Sequence, residues 1–478
     1  MTEKLKKYLP EIGIGVFLLV NTYLLANEVL YANLLPILLI MVLVALVKPY
    51  WLIPVIILST PLSFNFEDLD MGGVGFYFPT EPMLFGVLLL YLIRLFHSNP
   101  VDIRILKHPV SIVIICQLIW IGITAYASSM PMVSVKFLIS RMWFVIVLFY
   151  LAAEMFRTNQ KRIPVFVWLY IIPLAVVIIY TIYNHAQHGF NDKSAHWVMY
   201  PFYKDHTSYG AVLAMYIPAT IGLMLFYRNR RIVKNVALSF LVLLLIAVVL
   251  SYTRAAWVSI LGAAGVMLLV LFRIKYTVVL AGIVAFLGLF LIYQDVLWDR
   301  LEKNKQDSSS NLSEHVESIS NVSSDASNLE RLNRWNCALR MWADRPFFGF
   351  GPGTYMFQYA PYQSAKDLTI ISTNSGDGGN AHSEYLGPLA ETGVIGSLLV
   401  LILVVMVLKT GLPLFYSLED LRYRILSLSL VLGLVTYYLH GILNNYLDTD
   451  KLSVPFWTFT ASLVVLDIYG KKKSTAVE

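Results

Sequence analysis

The chain has 478 residues, of which 58% are hydrophobic and 14% charged, against roughly 25% charged in soluble domains; its mean hydropathy is +0.66. That balance excludes a soluble globular protein and implies a polytopic membrane protein. The net charge of +6 collects in the connections between apolar runs, so it implies no nucleic-acid partner.

A bilayer core about 30 Å thick takes about 20 apolar residues per helical span. In chain order, spans read near 9–27, 29–47, 50–61, 81–97, 109–129, 134–156, 163–184, 206–227, 233–250, 254–272, 276–296, 387–408, 421–443 and 452–470, the third being short. The runs are too continuous for the period-two alternation of a barrel. The expected fold is therefore an all-α membrane bundle of about 12–14 transmembrane helices, with one long extracytoplasmic loop that carries short helices. Three regions follow: N-terminal helices over 1–296, the loop over 297–386, and three C-terminal helices over 387–478.

Cytoplasmic connections carry excess Lys and Arg. With Lys4, Lys6 and Lys7 inside, the even-numbered connections are inside too, and they hold Lys48, Arg94, Arg104, Lys107, Arg157, Lys161, Arg162, Arg228, Arg230, Arg231, Lys234, Arg273, Lys275, Lys409, Arg422, Arg424 and Lys471. Both termini are then expected in the cytoplasm. The first apolar stretch, followed by further spans, reads as a retained signal anchor. Cys116 falls in a span and Cys337 in the long loop, and no disulfide framework or zinc spacing is present.

The connections on the other side hold the candidate chemistry. Loop 185–205 contains His185, His188, His196, Lys193 and Lys204, without the i, i+4 spacing of a strong metal site, so these read as solvated residues. Lys136 and Arg141 lie near the outer half of the sixth span and extend a basic surface. Arg254, in "SYTRAAW", stands where one span ends and the next begins. Its planar fork of donors matches phosphate oxygens, or it snorkels to headgroups as an anchor; Arg331, Arg334, Arg340 and Arg345 share that ambiguity.

Within the long loop, the Ser- and Asn-rich part reads as a linker. Ser327 with Glu330 reads as a capping box opening a helix over 328–344 that stops before Pro346. Leu332, Trp335, Leu339 and Trp342 fall on one face, which suits either the membrane interface or packing on the bundle. In "FFGFGPGTY", Gly349, Gly351 and Gly353 either form tight turns or bring N–H groups to a phosphate.

The segment "GNAHSEYLGPLAETGVIGSLL" then places His382 at the threshold of a span, where a histidine can act as a general base or simply cap a helix. Glu384 points away from His382, and Glu391 recurs on the face of Glu384. Asp448 and Asp450 form a D-x-D that reads as a polar turn or a metal-holding pair.

Together, "SYTRAAWVSILGA", "RWNCALRMWADRPFFGFGPGTY", "NAHSEYLGPLAETGVIGSLL" and "HGILNNYLDTDK", in that order over roughly 205–450, resemble the O-antigen ligase and polymerase superfamily of membrane glycosyltransferases. The resemblance implies metal-independent, cofactor-free, inverting transfer of a glycan from an undecaprenyl-diphosphate carrier on the periplasmic face of the bacterial inner membrane. It implies His382 as general base and Arg254 as a diphosphate ligand, with Lys204 near the place of a second arginine and Arg331 and Arg334 as further cations. Tyr252, Asn380, Glu384 and Tyr385 are expected as acceptor-side or supporting groups. Three acceptors fit: lipid A core (an O-antigen ligase, the favoured reading), another lipid-linked repeat (a polymerase), or a protein hydroxyl (an oligosaccharyltransferase). A polysaccharide or lipid transporter is the alternative of another class; it would show internal repeats, and none is evident.

Overall fold

Prolines and polar caps fix where the helices begin. The computed structural model describes residues 14–24, 51–65, 76–95, 102–275, 277–278, 288, 326–365, 368, 372 and 379–471. The expected span at 29–47, all but three residues of that at 276–296, the linker at 297–325, and Lys4, Lys6, Lys7 and Lys48 lie outside the described residues. The helices are α1 (Ile14–Leu24), α2 (Leu52–Ser59), α3 (Thr80–Leu95), α4 (Pro109–Tyr126), α5 (Pro131–Thr158, with a π turn over Ile146–Leu151), α6 (Arg162–Gln187) and α7 (His206–Phe226). They continue with α8 (Arg231–Leu250), α9 (Arg254–Leu271), α10 (Ala326–Asp344), α11 (Leu386–Ser417), α12 (Leu421–His440) and α13 (Asp450–Tyr469).

Pro109 and Pro131 occupy first-turn positions, where the missing N–H would be orphaned in any case. Asp205 and Asp420 cap α7 and α12 by accepting from Ser208 N–H and Arg422 N–H. Among the described residues, eight helices are long and apolar enough to cross a membrane: α4 through α9, α11 and α13. This makes the chain a multi-pass, all-α membrane protein. The segment read as a third span forms only an eight-residue helix, α2, about 12 Å long, followed by a two-stranded hairpin in which Phe64 pairs with Phe78 and Asn65 with Tyr77.

The helices alternate in direction, so α7, α9, α11 and α13 all begin at one end of the bundle. The described basic residues of the even-numbered connections gather at the other end. At the centre, α7 and α13 are apolar all round and buried over 78% and 83% of their spans, as expected for helices without a solvent face. They pack with α12, which buries Leu426 through Tyr438. Close approach of α7 to α12 rests on two glycines. A Cβ on Gly222 would meet Ser429 at 2.5 Å, and one on Gly433 would meet the Met215 carbonyl at 2.7 Å, the small-residue contact typical of membrane helices. Three buried hydroxyls of α13 are satisfied locally: Thr458, Thr460 and Ser462 donate to carbonyls four residues back.

One charged staple ties the N-terminal part to the last helix. Lys451 is buried, and its Nζ donates to the carbonyls of Thr60 and Ser63 and to Ser63 Oγ, each at 2.6 Å. The adjacent buried Asp450 accepts from Ser63 Oγ at 2.5 Å and from Thr80 Oγ1. Removing one member of a buried pair strands the other, at a cost of about 3–5 kcal/mol. Lys451→Met is therefore expected to lower the thermal unfolding midpoint of the purified protein markedly, and the double variant Asp450→Asn/Lys451→Met to recover most of the loss.

Candidate active site

The polar threshold before α11 is built from short-range hydrogen bonds. Asn380 Oδ1 accepts the N–H of His382 at 3.0 Å, the two-residue reach of an Asx turn. This holds His382 in the left-handed region, at φ 49°, a conformation that costs a non-glycine residue of order 1–3 kcal/mol. Ser383 Oγ accepts the N–H groups of Tyr385 and Leu386, each at 3.3 Å. Glu384 turns the other way: its Oε1 accepts Tyr446 N–H at 2.8 Å, Leu447 N–H at 3.0 Å and the Tyr437 hydroxyl at 2.5 Å. Its own N–H donates to the Gly441 carbonyl at 2.8 Å, and Tyr385 donates its hydroxyl to the Tyr438 carbonyl at 2.8 Å. Glu384 is thus fixed on the α12–α13 connection and Tyr385 on the end of α12. Burial, and then the charge of Asp448, push the Glu384 carboxyl above the usual range.

The expected straight twelfth span is broken. Gly393 takes φ 71° and ψ −172° inside α11, and Ser397 Oγ donates to the Tyr385 carbonyl at 3.0 Å, so the first turns double back beside the rest. The glycine-rich loop closes this break. Phe350 N–H donates to the Ala390 carbonyl at 3.0 Å, Gly351 N–H to the Glu391 carbonyl at 2.8 Å, and Val394 N–H to the Pro346 carbonyl at 2.9 Å. The Glu391 carboxylate accepts Tyr355 N–H at 3.0 Å. A Cβ on Gly349 would lie 2.3 Å from the Glu391 backbone. The N–H groups of Phe350 and Gly351 therefore cap a helix end, which corrects the phosphate-cradle reading of "FFGFGPGTY".

His382 faces a cluster drawn from four elements. Its imidazole is pushed down to about 4, first by burial and then by Arg331 and Arg334, against the opposing pulls of Asn444 and Asp205. It is thus neutral near pH 7. Trp335 Nε1 donates to the His382 carbonyl at 3.4 Å, which brings α10 against the threshold. His440 ends α12 with 1% of its surface exposed. Its Nε2 lies 3.1 Å from Asn444 Nδ2, and its Nδ1 has no hydrogen-bond partner among the described residues. Asp205 accepts from Ser208 N–H and from Thr207 Oγ1, each at 2.7 Å, and Thr207 in turn meets the Tyr446 hydroxyl.

Arg254 opens α9 beside this cluster. The preceding Thr253 donates its hydroxyl to the His206 carbonyl at 2.7 Å, and His206 Nδ1 meets the Ser251 carbonyl at 3.1 Å, so the "SYTR" turn is pinned to the start of α7. Arg254 itself is half-buried, and the cations that act on His382 are Arg331 and Arg334. Tyr252 donates to the Phe190 carbonyl at 3.1 Å, toward the 185–205 loop. Lys204 is exposed and makes no hydrogen bond or ion pair among the described residues.

Several expectations for neighbouring residues are corrected. Arg334 is 2% exposed; its Nε meets Glu330 Oε1 at 2.6 Å and its guanidinium lies 4.0 Å from the Tyr359 ring centre, so it is a strut of the loop. Glu330, held below the usual carboxyl range by Ser372 and Arg334 against the effect of burial, serves that pair, and the helix expected over 328–344 runs over Ala326–Asp344. The buried face of α10 is Asn333, Arg334, Cys337, Ala338 and Met341, whereas Leu339 is exposed and Leu332, Trp335 and Trp342 are half-buried. Leu339 thus faces outward while Trp335 packs on the His382 threshold, so the stripe divides between the outer surface and packing. Asp448 pairs with Arg141 at 2.7 Å while Asp450 belongs to the Lys451 staple, so the D-x-D carboxylates have separate partners. His185 is buried, not solvated, with Nε2 2.9 Å from the Asn191 carbonyl. Among the described residues no group of three or more His, Cys, Asp or Glu is arranged to hold a metal.

Sequence reasoning missed Asp205, His206, His440, Asn444 and Tyr446. The available signal was their position: each flanks an apolar run on the side opposite the basic connections.

An all-α multi-pass bundle with a half-buried, neutral histidine among arginines at one end defines a membrane protein with a polar site at the bundle's edge. Residues 239–401 match the model of the family described as O-antigen ligase, which supports the O-antigen ligase and polymerase superfamily of glycosyltransferases. The matched stretch contains Arg254, Arg331, Arg334 and His382; Asp205, His440 and Asn444 lie outside it. No curated protein matches the chain.

Because Gly393 adopts a backbone that L side chains rarely reach, Gly393→Ala is expected to lower the thermal unfolding midpoint of the purified protein, by a strain of about 1–3 kcal/mol added to the clash with Phe347.

Proposed function

We propose that the chain is an inverting, metal-independent glycosyltransferase that moves a glycan from an undecaprenyl-diphosphate carrier to lipid A core, as an O-antigen ligase, at the periplasmic face of the bacterial inner membrane. The loop between α9 and α11 and the polar bundle end then face the periplasm, with both termini in the cytoplasm. The observation that carries this reading is the gathering of His382, Arg331, Asp205 and His440 at the bundle end where the Arg254 turn is pinned.

The chemistry follows from charge. An acceptor hydroxyl attacks the anomeric carbon of the donor sugar; the new C–O bond forms as the bond to the diphosphate oxygen breaks, with inversion, and the electron pair leaves on the diphosphate. Fixed cations stabilise that developing charge best where water is sparse. Arg254 and Arg331 supply it, while Arg334 acts at one remove by orienting α10. The hydroxyl proton passes to His382, whose neutral imidazole is the state a base requires. A bound diphosphate offsets the local positive charge and raises the affinity of His382 for that proton.

Five outcomes test this. With a defined lipid-linked donor and lipid A core acceptor, His382→Ala is expected to lose about 10²–10⁴-fold in rate at unchanged yield of folded protein. Arg254→Lys is expected to fold but lose most activity, because an ammonium lacks the bidentate fork. The acid limb of kcat/KM reports the free enzyme and that of kcat the complex, so the kcat limb is expected at higher pH than a kcat/KM limb near pH 4. Activity unchanged by chelator supports the metal-free reading. In a deletion strain, full-length polymer left on the carrier marks a ligase, and single repeats mark a polymerase.

A further inference from the structure

At the bundle end opposite His382, a hollow of about 680 Å³ opens between the starts of α6 and α12 and the end of α7. Its wall carries Lys161, Arg228, Arg230 and Arg422 against one carboxylate, Asp420. Asp420 is already engaged: it caps α12 through Arg422 N–H at 2.8 Å and pairs with Arg422 Nη2 at 2.6 Å. Lys161, Arg228 and Arg230 make no side-chain hydrogen bond or ion pair among the described residues. Their backbones are nevertheless fixed: Arg228 N–H donates to the Leu225 carbonyl at 3.3 Å, Arg230 N–H to the Tyr227 carbonyl at 2.8 Å, and Lys161 N–H to Asn159 Oδ1 at 3.1 Å.

A basic bias at one membrane side accounts for the number of cations here, but not for three of them turned into one concavity, where they repel. An anion with several oxygens relieves that repulsion, and Arg suits phosphate oxygens. The rim is apolar and open, with Val165 44% and Leu421 43% exposed, at a level where helices meet lipid. An occupant with a phosphate head and hydrocarbon tails matches both parts, as basic pockets between transmembrane helices do for anionic headgroups.

We propose that this hollow binds the phosphate of an anionic phospholipid. The assignment is independent of the transfer reaction and uses none of its residues. Native mass spectrometry of the full chain with phosphatidylglycerol, cardiolipin or phosphatidylcholine, with and without inorganic phosphate, tests it. The wild type is expected to retain the anionic lipids selectively. Arg228→Gln/Arg230→Gln is expected to weaken retention about tenfold or more, and Lys161→Gln to weaken it less. Lys234→Gln/Lys409→Gln, which removes the same charge at exposed positions outside the hollow, is expected to leave it unchanged. Equal loss in the two double variants, or equal retention of phosphatidylcholine, overturns the site. Complete displacement of lipid by millimolar inorganic phosphate overturns the lipid assignment in favour of the free ion.

Discussion

The candidate site depends on one carboxylate. Where a chain leaves a helix near membrane depth, its polar groups have to be satisfied within the protein, and Glu384 does this for two connections at once. By accepting two backbone N–H groups and a tyrosine hydroxyl from the α12–α13 region, it locks the segment bearing His382 to the segment bearing His440 and Asn444. Leaving such buried groups unpaired costs about 1–3 kcal/mol each. Without the bonds to the Glu384 carboxyl, the left-handed turn at His382 would rest on Asn380, Ser383, Trp335 and the Glu384 N–H bond to Gly441.

The same constraint explains the surrounding construction. The break at Gly393 leaves carbonyls of the first α11 turns without helical donors, and the glycine-rich loop supplies them. Because that loop follows α10 directly, capping the break also positions Arg331 and Trp335 beside His382. Arg334, buried under Tyr359 and paired with Glu330, gives the loop its own small core with Cys337, Ala338 and Met341. The cations near His382 thus sit on a braced element, as electrostatic stabilisation of a leaving group requires.

Much of this was legible in the sequence, and the limits were physical. Apolar run length and the Lys and Arg bias located most helices to within a few residues, because bilayer thickness fixes span length. Segment 50–61 failed that test, since its apolar run is shorter than a crossing and continues into a hairpin. The apolar stripe of α10 is legible, but not the surface it meets: the buried face is set by Asn333 and Arg334, whose partners Gln363, Glu330 and Tyr359 lie within the loop itself. The glycines of "FFGFGPGTY" announced unusual backbone, while their partners, some 40 residues downstream at Ala390 and Glu391, could be found only in three dimensions. His440 and Asn444 stood in a stretch noted as family-like, yet one sequence gives no reason to single them out from other polar residues at helix ends.

The central claim is that the cations at this bundle end grip a carrier's diphosphate while His382 faces the incoming nucleophile. A cryo-EM structure of the His382→Ala protein with a polyprenyl-diphosphate glycan tests it most directly. The account predicts density for the diphosphate within hydrogen-bonding reach of Arg254 and Arg331, with the anomeric carbon turned toward position 382. Diphosphate bound elsewhere in the bundle, with the 379–385 segment unengaged, would contradict it.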